Sequence, residues 1–310
     1  MKNKIFVSLS TFADSDNKPL ALLKESGFDY YINSLGRRIT EDEVLEMGVN
    51  ATGIIAGLEP YTSDVLLQLK YLKCISRVGV GTDNIDNAYA KTKGIIIRNT
   101  PNVVIQPVVE LTLTMILTLL RKATLHTNLI KLNKWERHVG NLLYGKTVGI
   151  IGTGRIGKRM SETLLLLGAN IIAYDIYPDL EWQKKLNVKY ISRNDLYKNS
   201  DIISLHLSDS TQVKPVISKK EIEQMKDGVL IINTSRGQFI DEKDLFDGLT
   251  TEKVGGVGLD VYVNEPYNGD LINFDNVVLT PHIGTLTKES RTEMEVEAVN
   301  NLLAVLNDSR

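Results

Sequence analysis

Three short segments toward the end of the chain carry an arginine, a carboxylate and a histidine: Asn233-Thr-Ser-Arg236-Gly237, Asn264-Glu265-Pro266 and Thr280-Pro-His282-Ile-Gly284. Together these side chains suit the reduction of a 2-keto acid. Arginine's fixed fork of donors can bind the carboxylate and polarise the neighbouring ketone. Histidine, which titrates near neutrality, can give a proton to the developing alkoxide. A carboxylate on the other ring nitrogen would orient the imidazole and offset its positive charge. Each residue also has a plainer reading: Arg236 as a surface ion-pair partner, Glu265 as a turn carboxylate, His282 as a buried ring satisfied by backbone. Their occurrence together, downstream of a dinucleotide-type turn, argues against three coincidences.

That turn is Gly152-Thr-Gly154-Arg155-Ile156-Gly157, a G-x-G-x-x-G between an apolar run and a helical pattern. The first glycine permits the tight turn, the second lets a pyrophosphate approach the backbone, and the third brings helix and strand together. The helix start offers free N–H groups and a positive dipole end. The glycine pattern alone is weak; its strand–turn–helix setting strengthens it. Asp175 follows eighteen residues after Gly157, where a carboxylate would accept from an adenine-ribose diol and repel a 2′-phosphate. No arginine or serine follows it directly, so NAD is preferred over NADP.

Positioning such groups takes parallel sheets. Ile5–Leu9, Gly53–Ala56, Ile75–Val78 and Ile95–Ile97 read as buried strands, alternating with helical patterns at Asp16–Ser26, Thr40–Met47 and Thr62–Leu69. Thr40 with Glu43 forms a capping-box signature. The alternation restarts with strands at Lys146–Ile151, Ile171–Tyr174, Ile202–Leu205, Val229–Ile232, Val257–Leu259 and Val277–Leu279. Two such series predict an α/β protein of two doubly wound parallel-sheet domains. One spans residues 1–100 plus 287–310, the other 101–286. A helix at Pro107–Arg121 bridges them, and a last helix at Thr287–Leu306 packs back on the first.

The bulk numbers limit the alternatives. A chain of 310 residues with 43% hydrophobic and 24% charged residues is long enough for two cores. A net charge of -2 gives no basic field for nucleic acid or an anionic membrane. The single cysteine, Cys74, excludes an internal disulfide and suits a reducing cytoplasm, as an inert residue beside a strand. The N-terminus lacks the apolar core of a signal peptide, and Leu111–Leu120 is too short to cross a bilayer. His126 and His138 fall in a polar arm, and no histidine pair has metal-ligand spacing, so no metal is expected.

The three segments and the glycine turn resemble the D-isomer-specific 2-hydroxyacid dehydrogenases over almost the whole chain. The resemblance implies a flavodoxin-like substrate domain and a Rossmann NAD-binding domain. It also implies that Arg236 binds substrate, Glu265 orients His282, and His282 donates the proton. Family members acting on formate carry glutamine where Glu265 stands, so the carboxylate favours chemistry in which a proton moves. The segment Arg77-Val78-Gly79-Val80-Gly81 resembles a loop whose amides receive the substrate carboxylate. Asp260 resembles a nicotinamide contact, and His206 and Thr211 resemble a cofactor-flanking loop. Thr234 and Gly284 fall in matching cofactor segments. Ser208 replaces that loop's usual proline, and Gln106 and Pro107 replace small residues before Glu110. The pattern is most similar to members that oxidise D-3-phosphoglycerate to 3-phosphohydroxypyruvate, in which arginines at the positions of Arg77 and Arg137 help hold the phosphate. Other 2-keto acids (glyoxylate, hydroxypyruvate, pyruvate, a phosphonate analogue) are the alternatives within the family. A non-catalytic NAD-sensing module is the alternative outside it. The chain ends soon after Leu306, so serine feedback through a C-terminal regulatory domain is not expected. The long helix and the Leu120–Tyr144 arm resemble the family's dimer interface, which implies a homodimer.

Overall fold

Apolar β-branched runs become strands where helices cover both faces of a sheet, and two such sheets form here. The computed structural model describes residues 4–208 and 215–308. The chain divides into two compact units, Met1–Val104 with Thr285–Arg310, and Ile105–Gly284.

In the first unit, strands β1 (Lys4–Val7), β2 (Asp29–Ile32), β3 (Gly53–Ala56), β4 (Cys74–Arg77) and β5 (Ile96–Arg98) form one sheet in the order β2-β1-β3-β4-β5. Every pairing is parallel. This is the flavodoxin-type winding, which switches direction beside β1. The Glu41–Gly48 helix starts at the capping box: Glu43 N–H donates to Thr40 Oγ1 at 3.4 Å, and Thr40 N–H to Glu43 Oε2 at 2.8 Å. Such a cap contributes about 1 kcal/mol. The last helix, Lys288–Asp308, lies against β3, where a Cβ on Gly53 would come within 2.9 Å of Leu302. Cys74 is the buried first residue of β4, within the strand rather than beside it, and burial pushes its thiol up to about 12.

In the second unit, β6 (Thr147–Ile151), β7 (Asn170–Tyr174), β8 (Lys189–Tyr190), β9 (Ile202–Leu205), β10 (Val229–Asn233), β11 (Val254–Leu259) and β12 (Val277–Leu279) run parallel in the order β12-β11-β10-β9-β6-β7-β8. This is the dinucleotide-binding winding, with its switch point between β6 and β9. The Ile105–Arg121 helix begins two residues before Pro107 and packs Met115 over Gly258, a Cβ on which would sit 3.0 Å from Met115 Cβ.

Two strands escape the sequence reading, β2 and β8. Both are edge strands with half-exposed residues, so neither shows a continuous apolar run. The arm after the Ala123–Lys131 helix exposes apolar side chains among its polar ones. Trp135 is 84% and Val139 90% exposed, with Leu132, Leu142 and Tyr144 also open to solvent.

Candidate active site

The glycine turn joins β6 to the Arg155–Leu166 helix beside the switch point. Gly152 has φ +93°, and a Cβ there would come within 2.5 Å of His206 O. A Cβ on Gly157 would come within 2.0 Å of Gly152 O, so helix and turn could not close with any larger residue. Gly154 faces open space and caps the helix without a side-chain cap. The first-turn amides, with Arg155 and Ile156 among them, therefore remain for an anion. Asp175 follows β7. Its Oδ2 accepts from Thr153 N–H at 2.6 Å and Thr153 Oγ1 at 3.0 Å, and its Oδ1 from Tyr177 N–H at 2.9 Å. A cradle that a Cβ would fill, beside a fixed carboxylate, fits a pyrophosphate and its adenine ribose.

The three chemical segments follow β10, β11 and β12, which are neighbours in the sheet. Adjacent parallel strands deliver their following loops to one edge, which is why residues so far apart in sequence share it. Arg236 leads into the Gly237–Phe239 turn, and its Nη1 donates to Ser235 O at 2.7 Å. The turn is held by the buried Asn233, whose Nδ2 donates to Arg236 O at 2.8 Å and whose Oδ1 accepts from Ser235 N–H at 3.0 Å. A Cβ on Gly237 would lie 1.9 Å from the Tyr262 carbonyl carbon, so this glycine lets the arginine segment rest on the Tyr262–Glu265 segment.

Glu265 Oε2 lies 2.9 Å from His282 Nδ1, and Glu265 Oε1 accepts from Tyr262 N–H at 3.2 Å. A carboxylate accepts only, so Nδ1 carries the hydrogen and Nε2 is left to exchange a proton. The pair is not sealed away: the His282 side chain is 41% and the Glu265 side chain 36% exposed. His282 itself has φ +55°, a left-handed conformation uncommon outside glycine. It is held there by Asp260, which is only 1% exposed. Asp260 Oδ1 accepts from Thr280 Oγ1 at 2.6 Å and Ile283 N–H at 2.7 Å, and Oδ2 from Gly284 N–H at 2.7 Å. Burial raises the Asp260 pKa, and these hydrogen bonds oppose the rise. A residue read from sequence as a cofactor contact thus anchors the histidine loop. Tyr262, which the sequence reading passed over, donates through its hydroxyl to Thr280 O at 3.0 Å and braces the same loop.

Other calls fall in varied places. His206 Nε2 pairs with Ser204 Oγ at 2.9 Å, and burial lowers its pKa to about 4. Thr234 Oγ1 meets Thr112 Oγ1 at 3.0 Å. Thr211 lies outside the described residues. In the first unit, Val78 N–H donates to Ala56 O at 2.8 Å and Gly79 N–H to Thr100 Oγ1 at 2.8 Å, so both amides are already engaged. Among the described residues no protein acceptor meets Val80 N–H, and Val80 is exposed. Arg77 is half-buried and donates to Val78 O; a Cβ on Gly79, at φ +131°, would overlap its guanidinium. Arg137 is exposed on the arm. His126 is half-buried and accepts from His138 N–H at 3.0 Å.

A turn shaped for a dinucleotide and a histidine set to pass a proton share one edge of a parallel sheet, the equipment of an NAD-dependent oxidoreductase of 2-hydroxy acids. Comparison with known proteins agrees. Residues 113–284 match the NAD-binding domain model of the D-isomer specific 2-hydroxyacid dehydrogenases. A hydroxypyruvate reductase of Thermotoga maritima is 38% identical over 82% of this chain and 84% of its own. A D-3-phosphoglycerate dehydrogenase of Methanocaldococcus jannaschii is 37% identical over 82% of this chain, which spans 49% of that longer relative. The solved D-lactate dehydrogenase of Aquifex aeolicus, complexed with NAD and lactic acid, superimposes with a TM-score of 0.85 at 29% identity, covering 99% of this chain and 96% of its own. The chain belongs to the D-isomer-specific 2-hydroxyacid dehydrogenases, and its cofactor is NAD. No helix among the described residues is long and apolar enough to cross a membrane.

Proposed function

We propose that the protein interconverts D-3-phosphoglycerate and 3-phosphohydroxypyruvate. The observation that carries this reading is Arg77. Its guanidinium fills the space a Gly79 side chain would take, so the loop assigned to the substrate carboxylate has a cation built into it. A phosphate two carbons from that carboxylate would draw on such a charge, with Arg137 as a second contact.

In this reading, NAD held at Gly152–Gly157 and Asp175 supplies or accepts the hydride. Thr234, Asp260, Gly284 and His206 flank it. The Arg236 guanidinium binds the substrate carboxylate and polarises the C2 oxygen. His282 Nε2 gives a proton to that oxygen in reduction and takes it back in oxidation. Glu265 keeps the hydrogen on Nδ1 and offsets the charge while the ring is doubly protonated. The substrate domain is the first unit and the cofactor domain the second. Two copies pair through this arm, where Leu132, Trp135, Val139, Leu142 and Tyr144 are each exposed and would gain cover from a partner. The reading places the enzyme in cytoplasmic serine biosynthesis.

A second reading, reduction of unphosphorylated hydroxypyruvate, is favoured by the bond from Arg77 Nη1 to Val78 O, which occupies one donor of the fork. Initial rates with NADH over 3-phosphohydroxypyruvate, hydroxypyruvate, glyoxylate and pyruvate decide. The phosphorylated acid is expected to lead in kcat/KM by about tenfold or more, the effect of one charge-assisted contact. Equal or better rates with hydroxypyruvate would transfer the assignment to that acid.

A further inference from the structure

We propose that Thr153 and Tyr190 are positioning residues that set the choice of NAD over NADP by fixing the Asp175 carboxylate. The inference rests on Asp175 being the ribose contact. Thr153, the residue between the first two glycines of the turn, is only 4% exposed. Its hydroxyl lies 3.0 Å from Asp175 Oδ2 and 2.7 Å from the Tyr190 hydroxyl, and Asp179 N–H donates to that phenol at 3.2 Å.

Only one arrangement of hydrogens satisfies all four groups. A carboxylate accepts, so Thr153 must give its single hydroxyl hydrogen to Asp175. Tyr190 therefore gives its hydrogen to Thr153, and Asp179 N–H closes the chain on the phenol oxygen. The relay runs in one direction, from the backbone after β7, through the β8 edge strand, into the glycine turn and onto Asp175. Successive bonds of one sense polarise one another and strengthen the last.

The consequence lies in what remains on the carboxylate. Oδ2 already accepts twice from Thr153, through its N–H at 2.6 Å and its hydroxyl, while Oδ1 accepts once, from Tyr177 N–H. A carboxylate oxygen accommodates about two such bonds. One acceptor site is therefore left on Oδ1, which suits one hydroxyl of a ribose diol. A 2′-phosphate offers no hydrogen to that site at neutral pH and meets a charge that cannot rotate away. Without the relay the carboxylate keeps only the Thr153 and Tyr177 N–H groups, is held less firmly, and the discrimination weakens. The dinucleotide turn thus does more than receive phosphates: its central side chain sets the group that reads the ribose.

Thr153→Val keeps the shape and removes the hydroxyl. NADH and NADPH dissociation constants, read by fluorescence titration, are expected to show NADH weakened about tenfold with NADPH little changed. KM for NAD should rise in parallel with kcat held. Tyr190→Phe should shift the ratio the same way but less, about threefold, because it removes only the donor behind Thr153. Thr153→Ser should restore the native ratio. In an Asp175→Ala background, Thr153→Val should add nothing further to the ratio. Equal weakening of both cofactors by Thr153→Val, or an unchanged ratio, would overturn the relay. If Asp175→Ala itself leaves the ratio unchanged, the ribose assignment fails and takes the proposal with it; a relaxed Asp175→Ala beside a native-like Thr153→Val fails the relay alone.

Discussion

Two histidines stand at the same edge of one sheet in opposite surroundings. His206 follows β9, is mostly buried, and has the Ser204 hydroxyl as its ring partner; burial lowers its pKa to about 4, so it is neutral at physiological pH. His282 follows β12, has 41% of its side chain exposed, and sets Nδ1 against the Glu265 carboxylate. A hydroxyl partner asks nothing of the ring's charge, whereas a carboxylate rewards a proton on it. Residue type alone does not make a proton carrier; the partner and access to solvent do. The backbones differ in the same sense. His206 N–H donates to Ile151 O at 2.8 Å and its carbonyl closes over Gly152, which makes it part of the cofactor turn's wall. The left-handed His282 is braced by Asp260 and Tyr262 while its side chain stays partly open to solvent.

The comparison breaks first at His282. His282→Ala is expected to lower kcat by about 10²–10⁴-fold, the range of a lost general acid–base group, with the NADH dissociation constant changed far less. Equal losses in both would make His282 a structural residue like His206. Glu265→Gln tests the partner. The amide oxygen can still accept from Nδ1 but no longer offsets an imidazolium, so kcat should fall by about 10²-fold, the low end of that range. NADH binding should again be spared. Full activity in Glu265→Gln would mean that the carboxylate only holds the ring in place.

Legibility followed the range of the constraint. Gly152, Gly154 and Gly157 were readable because a turn of six residues imposes its own sterics, and Asp175 because the strand between has a predictable length. Arg236, Glu265 and His282 could be listed together, but their meeting at one edge depends on β10, β11 and β12 being neighbours. What the sequence hid are bonds between distant side chains and backbone. Asp260 holds Gly284, 24 residues away, and Tyr190 reaches Thr153 across 37; no local pattern marks either. The edge strands β2 and β8 carry no continuous apolar run that would mark them in sequence. The arm reads as polar because Lys134, Glu136 and Arg137 sit among its apolar residues, and only the fold leaves Trp135 and Val139 uncovered. In the first unit, the buried Glu59 accepts from Ser8 Oγ at 2.8 Å and Gly57 N–H at 2.7 Å. The network joins residues 51 positions apart because β1 and β3 pair side by side.

The smallest expected effect sharpens the other side of the comparison. A histidine near 6.5 when unfolded and about 4 when folded binds a proton in the unfolded chain first as pH falls. Its contribution to stability is therefore complete above 6.5, is lost progressively as pH falls from there to about 4, and does not change further below that. Conversion of the shift sets a ceiling of about 3 kcal/mol, lowered by whatever solvent reaches the ring. His206→Gln keeps a polar atom for Ser204 but cannot titrate. Urea melts of both proteins between pH 4 and 8 should keep a constant offset above pH 6.5, and as pH falls toward 4 the native protein should lose stability relative to His206→Gln. Parallel curves would mean that His206 takes up its proton without cost, and the contrast with His282 would then rest on the carboxylate alone.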